Sequence, residues 1–481
     1  MENFVGREAE KALLEDIFNS GEAELVAVYG RRRVGKTFLI RSIYKEHIVF
    51  EFTGMHEAGL FEQLENFSRA LQAAMKSAIP PEAPANWSKA FRFLQDFLTP
   101  HLSQKRAVIF FDEFPWIHTP KSRFLQAFEH FWNTWASRQP GLIAVICGSA
   151  ASWMIRNVVN NKGGLHNRIT HKIRLLPFTL YETELFLRSR KINLDRYQQL
   201  QLYMAMGGIP QYLKNVRAGE SAAQNIDRMC FSKDGILKEE FGNLYRSLFD
   251  NSDTHIAIIK ALAVKKQGLS RKEIIAACGL TSGGTTTKLL DELLESGFIH
   301  VYIPFDKNSK EGIYNLADEY SLFYLRFIEN KRASGKGTWT KLSSGSSWES
   351  WSGMAFERIC LKHVAQIKQA LGISGVLSEE SVWRYKAGKN SNGAQIDLLI
   401  DRRDHCINVC EIKYSLGEFA ITKGYANALK NKIDVFRQQT KSRKSLFLTM
   451  ITTYGVKRNI YYAGLVQNEI MMDQLFAPLP K

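Results

Sequence analysis

Cysteine is scarce: six in 481 residues, scattered, with Cys406 and Cys410 the closest pair. That excludes a disulfide framework, and no spacing suits a zinc site; reduced core thiols in a cytoplasmic protein are the expectation. Long apolar runs are also missing. The longest, AVIFF from Ala107 and LIAVIC from Leu142, fall far short of the ~20 residues that cross a bilayer, so no membrane partner is expected. The opening MENFVGREAE is polar and acidic, unlike a signal peptide. No internal repeat is present, which excludes a solenoid. What is there is an ordinary globular balance, 45% hydrophobic and 23% charged, which excludes a wholly disordered or collagen-like chain. Lysine and arginine number 64 against 48 acids, a formal charge of +16, so a polyanionic partner fits.

The pattern divides the chain. Residues 1–175 alternate short apolar strands (ELVAVYG, HIVFEF, AVIFFDE, LIAVICG) with amphipathic stretches. Strands apolar throughout suit a parallel sheet covered on both faces. Residues 176–250 look mostly helical, with a break at GGIP (207–210). Residues 251–325 read helix, helix, helix, hairpin, the winged-helix order. Ser270 with Glu273 makes a capping box and Gly297 a helix stop. Residues 326–348, rich in Gly, Ser and Lys, read as a linker. Residues 349–481 mix one long helix with strands and form a further domain.

The strongest motif is GRRRVGKT: Gly30, Arg31, Arg32, Arg33, Val34, Gly35, Lys36 and Thr37, followed by Phe38. An apolar strand precedes it and a helix follows, the context in which G-x-x-x-x-G-K-[ST] is a phosphate cradle. The glycines let backbone amides curl around phosphate oxygens at a helix N-terminus. Lys36 reaches the β- and γ-phosphates and the Thr37 hydroxyl ligates Mg2+. Asp112 and Glu113 end a buried strand, where carboxylates are costly unless they serve an ion. Asp112 is expected to hold Mg2+ through water and Glu113 to polarise the attacking water. Ser149 ends the next strand, placed to sense the γ-phosphate. No N-K-x-D guanine reader is evident, which favours ATP over GTP.

These segments, with FVGREAEKALLEDIF, LHNRIT and GGIPQYL, resemble the archaeal-type ATPases of the AAA+/STAND group over residues 1–250. The resemblance implies a P-loop ATPase with a helical lid. It implies that Phe4, Val5, Gly6 and Arg7 lie by the adenine, that Arg168 acts on a neighbouring subunit's nucleotide in a homo-oligomer, and that Gly208 and Pro210 belong to a lid motif near the base.

The tail carries a second constellation. GAQIDLLIDRRDHCINVCEIKYS predicts two strands around a polar turn, with Asp397 on the first and Glu411 and Lys413 on the second. Positions i and i+2 share a face, and Asp397 joins them across the hairpin. Glu357 lies beside the apolar stripe of the helix that contains Phe356, Ile359, Cys360 and Val364. The set resembles the PD-(D/E)xK nuclease core and, in full, the uncharacterised domain that often follows this ATPase type. The resemblance implies a restriction-endonuclease-like α/β fold. In it Asp397 and Glu411 bind metal, Lys413 orients or activates water, and Glu357 supports the site. Basic residues (among them Lys386, Lys389, Arg402, Arg403, Lys432 and Arg437) interleave with Trp383, Tyr385, Tyr414, Tyr425 and Phe436, a pattern that tracks a phosphate backbone, most naturally that of DNA.

The expectation is an α/β protein, a P-loop parallel sheet with lid, winged helix and nuclease-like tail. It binds and hydrolyses ATP with Mg2+ and cleaves or binds DNA through its tail. The alternative is an ATP-dependent switch whose tail only binds nucleic acid or protein.

Overall fold

The computed structural model describes residues 4–78, 82–103, 105–149, 151–159, 165, 167–249, 251–307, 311–329, 335–386 and 393–479. Lys389 and Ala150 lie outside the described residues. The chain divides into two compact units. The first comprises Met1–Pro177 with Ser247–Asp250 and Asp291–Gly297, and the second holds the rest.

The first unit is built on five parallel strands, β1 (Glu24–Tyr29), β2 (Ile48–Thr53), β3 (Ala107–Asp112), β4 (Leu142–Gly148) and β5 (His171–Arg174), in the order β2-β3-β4-β1-β5. β3 and β4 are buried along their whole length, as continuous Val/Ile/Phe runs require when both faces are covered. One face packs an aromatic cluster in which Phe111 meets Phe50, Phe91, Phe114 and Phe128. Truncating such a ring to alanine costs about 3–5 kcal/mol. β5 escapes detection in the sequence because HKIR is four residues long and mostly polar. It forms because Leu25 N and O both bond the Thr170 hydroxyl, which leads HKIR onto the sheet edge. β1 and β3 end beside the loops that carry the phosphate motif and Glu113.

The second unit begins with two helices, Leu180–Ser189 and Arg196–Met206. Thr179 with Glu182 caps the first and Asp195 the second. They end at Gly207, whose φ is +64°. A Cβ on Gly208 would lie 1.9 Å from the Phe178 carbonyl oxygen, so the GGIP break is a close backbone crossing. Pro210 opens the short helix Pro210–Leu213.

Helices Ser252–Val264, Arg271–Cys278 and Gly284–Glu295 follow, then β7 (Ile299–Tyr302) and β8 (Ile313–Leu316). A two-residue strand, β6 (Leu269–Ser270), joins the hairpin in the antiparallel order β6-β8-β7. The Ser270–Glu273 capping box is present and Gly297 has φ +75°.

The stretch expected to be a linker differs where it is described. Trp339 is buried, stacked on Phe231 at 5.7 Å and edge-on to Phe327 and Trp348. Asp227 accepts hydrogen bonds from Gly337 N (2.7 Å) and Trp339 N (2.6 Å). One large ring and one buried carboxylate outweigh a composition that otherwise favours a flexible coil.

The tail forms a mixed five-stranded sheet of β9 (Ser378–Tyr385), β10 (Ala394–Arg402), β11 (Cys406–Lys413), β12 (Ser445–Thr452) and β13 (Asn468–Met471), in the order β13-β12-β11-β10-β9. β9, β10 and β11 are antiparallel neighbours, whereas β11, β12 and β13 run parallel. The helix Lys423–Thr440 covers one face through Leu429 and Phe436. The β9–β10 register shifts between Ile396 and Leu399, a bulge at Asp397. All six cysteines are free, four of them buried. No helix among the described residues is long and apolar enough to cross a membrane.

Candidate functional site

In the first unit the loop after β1 turns through Gly30 (φ +147°), Arg33 (φ +71°) and Gly35 (φ +92°) into the helix Lys36–Ile43. A Cβ on Gly30 would lie 2.3 Å from Leu175 O, so that position needs glycine for space as well as for backbone angle. Lys36 is buried; its Nζ donates to Gly30 O and Arg31 O (both 3.0 Å) and to Ser149 Oγ (3.3 Å). Burial lowers its pKa against the opposing pull of Asp112 and Glu113. Thr37 Oγ1 donates to Asp112 Oδ2 at 2.8 Å. The two expected Mg2+ ligands are therefore already side by side.

Burial pushes the Asp112 carboxyl up, only partly offset by the Thr37 hydroxyl. A desolvated carboxylate beside a hydroxyl, under a loop of backbone amides, fits a hard cation, which would stabilise the charged form. Glu113 sits in the left-handed region (φ +46°). Its carboxylate accepts from Ser149 Oγ at 2.6 Å and from Ser149 N at 3.3 Å. The residue read as base and the residue read as sensor thus bond each other.

The FVGR segment runs against this loop. The Phe4 ring lies 5.6 Å from Phe38, and Lys11 Nζ sits 4.7 Å over Phe4. Gly6 and Arg7 both have positive φ, +76° and +61°. Buried Arg7 donates to Leu176 O (2.6 Å) and Val34 O (3.3 Å). It thereby ties the N-terminal segment to the phosphate loop, a role its sequence position did not suggest. Arg32 lies over Trp116 at 5.7 Å. Arg168 is exposed in a turn, and among the described residues no hydrogen bond or ion pair joins it to Lys36, Thr37 or Asp112. Pro210 lies in the second unit.

In the tail, Leu398 pairs with Cys410, which makes Asp397 and Glu411 the next residues along the two strands. Asp397 Oδ2 accepts from Ile412 N at 3.1 Å. Lys413 Nζ lies 2.9 Å from Glu411 Oε1. Glu411 is buried, and it also accepts from Tyr425 Oη (2.5 Å) and Lys432 Nζ (2.6 Å). These two helix residues complete the site. Both stand in the basic and aromatic series of the sequence, but nothing local ties them to Glu411.

The two carboxyls are shifted in opposite directions. Burial, then the charges of Glu411 and Glu357, push Asp397 up to about 7. Lys413, Lys432 and Tyr425 more than offset burial and hold Glu411 below the usual range. The charge of Glu357 is felt at Asp397, Lys413 and Tyr425, while its Oε1 accepts from Lys266 Nζ at 3.0 Å. Among the described residues no three His, Cys, Asp or Glu side chains form a group that could hold a metal ion. A cation here would have the carboxylates of Asp397 and Glu411 to draw on. The raised carboxyl of Asp397 fits that demand, since an adjacent cation would favour its charged form.

Residues 4–216 match the model of an ATPase domain found predominantly in Archaea. An uncharacterised protein of Methanocaldococcus jannaschii is 25% identical over 406 residues, 82% of this chain and 84% of that protein. An uncharacterised ATP-binding protein of the same organism is 53% identical over 38 residues, 8% of this chain and 64% of that one. Among solved structures, a Walker-type ATPase of Pyrococcus abyssi aligns with a TM-score of 0.49 and 17% identity, covering 68% of this chain and 97% of that one.

Proposed function

We propose that this chain binds and hydrolyses ATP with Mg2+ in its first unit and cuts phosphodiester bonds of nucleic acid, most naturally DNA, with its tail. On this reading residues 251–325 are a winged helix. Arg168, exposed as it is, acts on a nucleotide held by a neighbouring copy.

The nucleotide half rests on the ATPase-domain match together with Lys36, Thr37 and Asp112 converging around one loop. There Lys36 neutralises phosphate charge, Thr37 and Asp112 hold the ion, and Glu113, aligned by Ser149, orients water.

The observation that carries the tail reading is the placement of Asp397 opposite Glu411 on neighbouring strands, with Lys413 paired to Glu411 and the two carboxyls shifted in opposite directions. Carboxyls pushed apart in this way are the pattern seen at acid–base and metal-binding sites. A bound divalent cation would supply an acidified water and shield the scissile phosphate. Lys413 keeps its proton, since its pKa is raised by Glu411 despite burial; it therefore orients water or stabilises phosphate charge rather than acting as a base.

A second reading, a switch whose tail only binds, is favoured by the three donors on Glu411, which compete with a metal for its lone pairs. The test is plasmid scission with Mg2+ or Mn2+, with and without ATP, on wild type, Asp397→Asn and Lys413→Ala. Metal-dependent scission lost in both variants supports the nuclease. ATP turnover with no scission of DNA or RNA leaves the switch.

A further inference from the structure

Within the second unit, a half-open cavity of about 810 Å³ runs from the Val264–Leu269 turn and the β7–β8 hairpin to Asp397. Its described lining carries seven basic side chains against four acidic ones. Two of the acids are paired locally, Glu311 with Lys307 at 3.2 Å and Glu357 with Lys266 at 3.0 Å. Glu273 is occupied in capping Ser270. Exposed Lys265, Arg384 and Lys386 have no hydrogen-bond or ion-pair partner among the described residues. At the floor, buried Arg358 donates Nη1 to Leu316 O at 2.7 Å, while its Nη2 has no acceptor. Excess positive charge therefore faces the hollow. On β7, the rings of His300 and Tyr302 lie 6.1 Å apart and both line it.

Phosphate-binding cations and ring faces in one groove match a single strand, whose unstacked bases can lie on protein rings. A duplex keeps its bases stacked inside and offers phosphates alone. The volume agrees: it falls within the ~300–1,000 Å³ of sites that hold drug-sized molecules, room for a few nucleotides and far too little for a helical turn of duplex.

We propose that this groove is a track for a single strand of nucleic acid, which it leads to Asp397. Lys265, Arg384 and Lys386 contact its phosphates, and His300 and Tyr302 its bases. The proposal rests on the nuclease reading for what happens at Asp397, but binding can be read without it.

The experiment measures anisotropy of dye-labelled oligothymidylate, oligouridylate and a blunt duplex of equal length on the full chain, in EDTA, across a salt series. Wild type should bind a single strand at least about tenfold more tightly than the duplex, and the tighter of the two single strands identifies the sugar. The triple variant Lys265→Ala/Arg384→Ala/Lys386→Ala should lose at least about tenfold, with the log–log salt slope falling by about 2, since each phosphate contact on a single strand contributes roughly 0.7. A charge-matched control, Lys430→Ala/Lys441→Ala/Arg443→Ala, should bind as wild type. Equal binding of duplex and single strand, or equal losses in both triple variants, overturns the proposal. Single-strand binding by a wild type that cuts nothing sinks the nuclease reading alone. Metal-dependent cutting of a labelled single strand at wild-type rate by the groove variant sinks the groove alone.

Discussion

Ser149 Oγ donates a 2.6 Å hydrogen bond to Glu113 Oε1 while accepting one from Lys36 Nζ at 3.3 Å. The hydroxyl thus links Lys36, proposed to bind phosphate, to Glu113, proposed to orient the attacking water. Ser149→Ala should leave ATP affinity within about twofold and lower turnover by about tenfold or more, because a catalytic group freed from its tether loses its alignment. ATP titration beside steady-state turnover separates the two. A fall in affinity with turnover intact would show that Ser149 serves binding.

Lys36→Ala should remove most ATP binding, and Thr37→Ala should weaken the Mg2+ dependence of what binding remains. Lys36 also bonds two carbonyls of its own loop, so thermal unfolding without nucleotide is the control for the loop itself. Unchanged ATP affinity in Lys36→Ala would refute the assignment of the first site.

The raised pKa of Asp397 has a signed consequence for stability. Its folded value, about 7, lies above the ordinary carboxylate value of 3.8. The protonated form therefore favours folding, a contribution present at low pH and lost as pH climbs toward 7. Asp397→Asn keeps the neutral shape, so it should raise Tm at pH 8 and change little at pH 4. Each kcal/mol regained is worth about 2–4 °C in a unit of this size. The opposite ordering would show that folding does not raise the Asp397 carboxyl.

Divalent-metal binding by the tail should tighten as pH rises through about 7, as the metal-free Asp397 loses its proton. Lys432→Met should alter that profile by removing one of the charges that hold Glu411 down, and circular dichroism checks the fold. A profile identical to wild type would remove Lys432 from the site's electrostatics.

Gly208→Ala should destabilise the second unit by roughly 1–3 kcal/mol or more, since its Cβ would sit 1.9 Å from the Phe178 carbonyl oxygen and the backbone has to move. Gly219→Ala is the contrast. Gly219 has open space around the Cβ position, so its cost comes from its φ of +80° alone. Equal Tm losses in the two would mean that the Phe178 crossing is soft.

Four of the five strands of the first sheet stand out in the sequence as unbroken apolar runs; the fifth, β5, is too short and too polar to show. Asp397, Glu411 and Lys413 were visible as a hairpin, because alternation along a strand is a local rule. The bulge at Asp397, the shift of its carboxyl, and the packing of Trp339 into a stretch that reads as linker were not.

The chain's own order of residues determined the phosphate loop: eight consecutive positions set its turns, its cation and its hydroxyl, and no distant partner is needed to form such a cradle. Tertiary structure alone decided that Arg7 ties down Val34, that Ser149 holds Glu113, and that Tyr425 and Lys432 draw the Glu411 carboxyl down while burial pushes Asp397 up. Backbone geometry travels with short segments. Burial and charge at a point depend on whichever side chains packing brings there, and desolvation makes those meetings strong enough to set protonation.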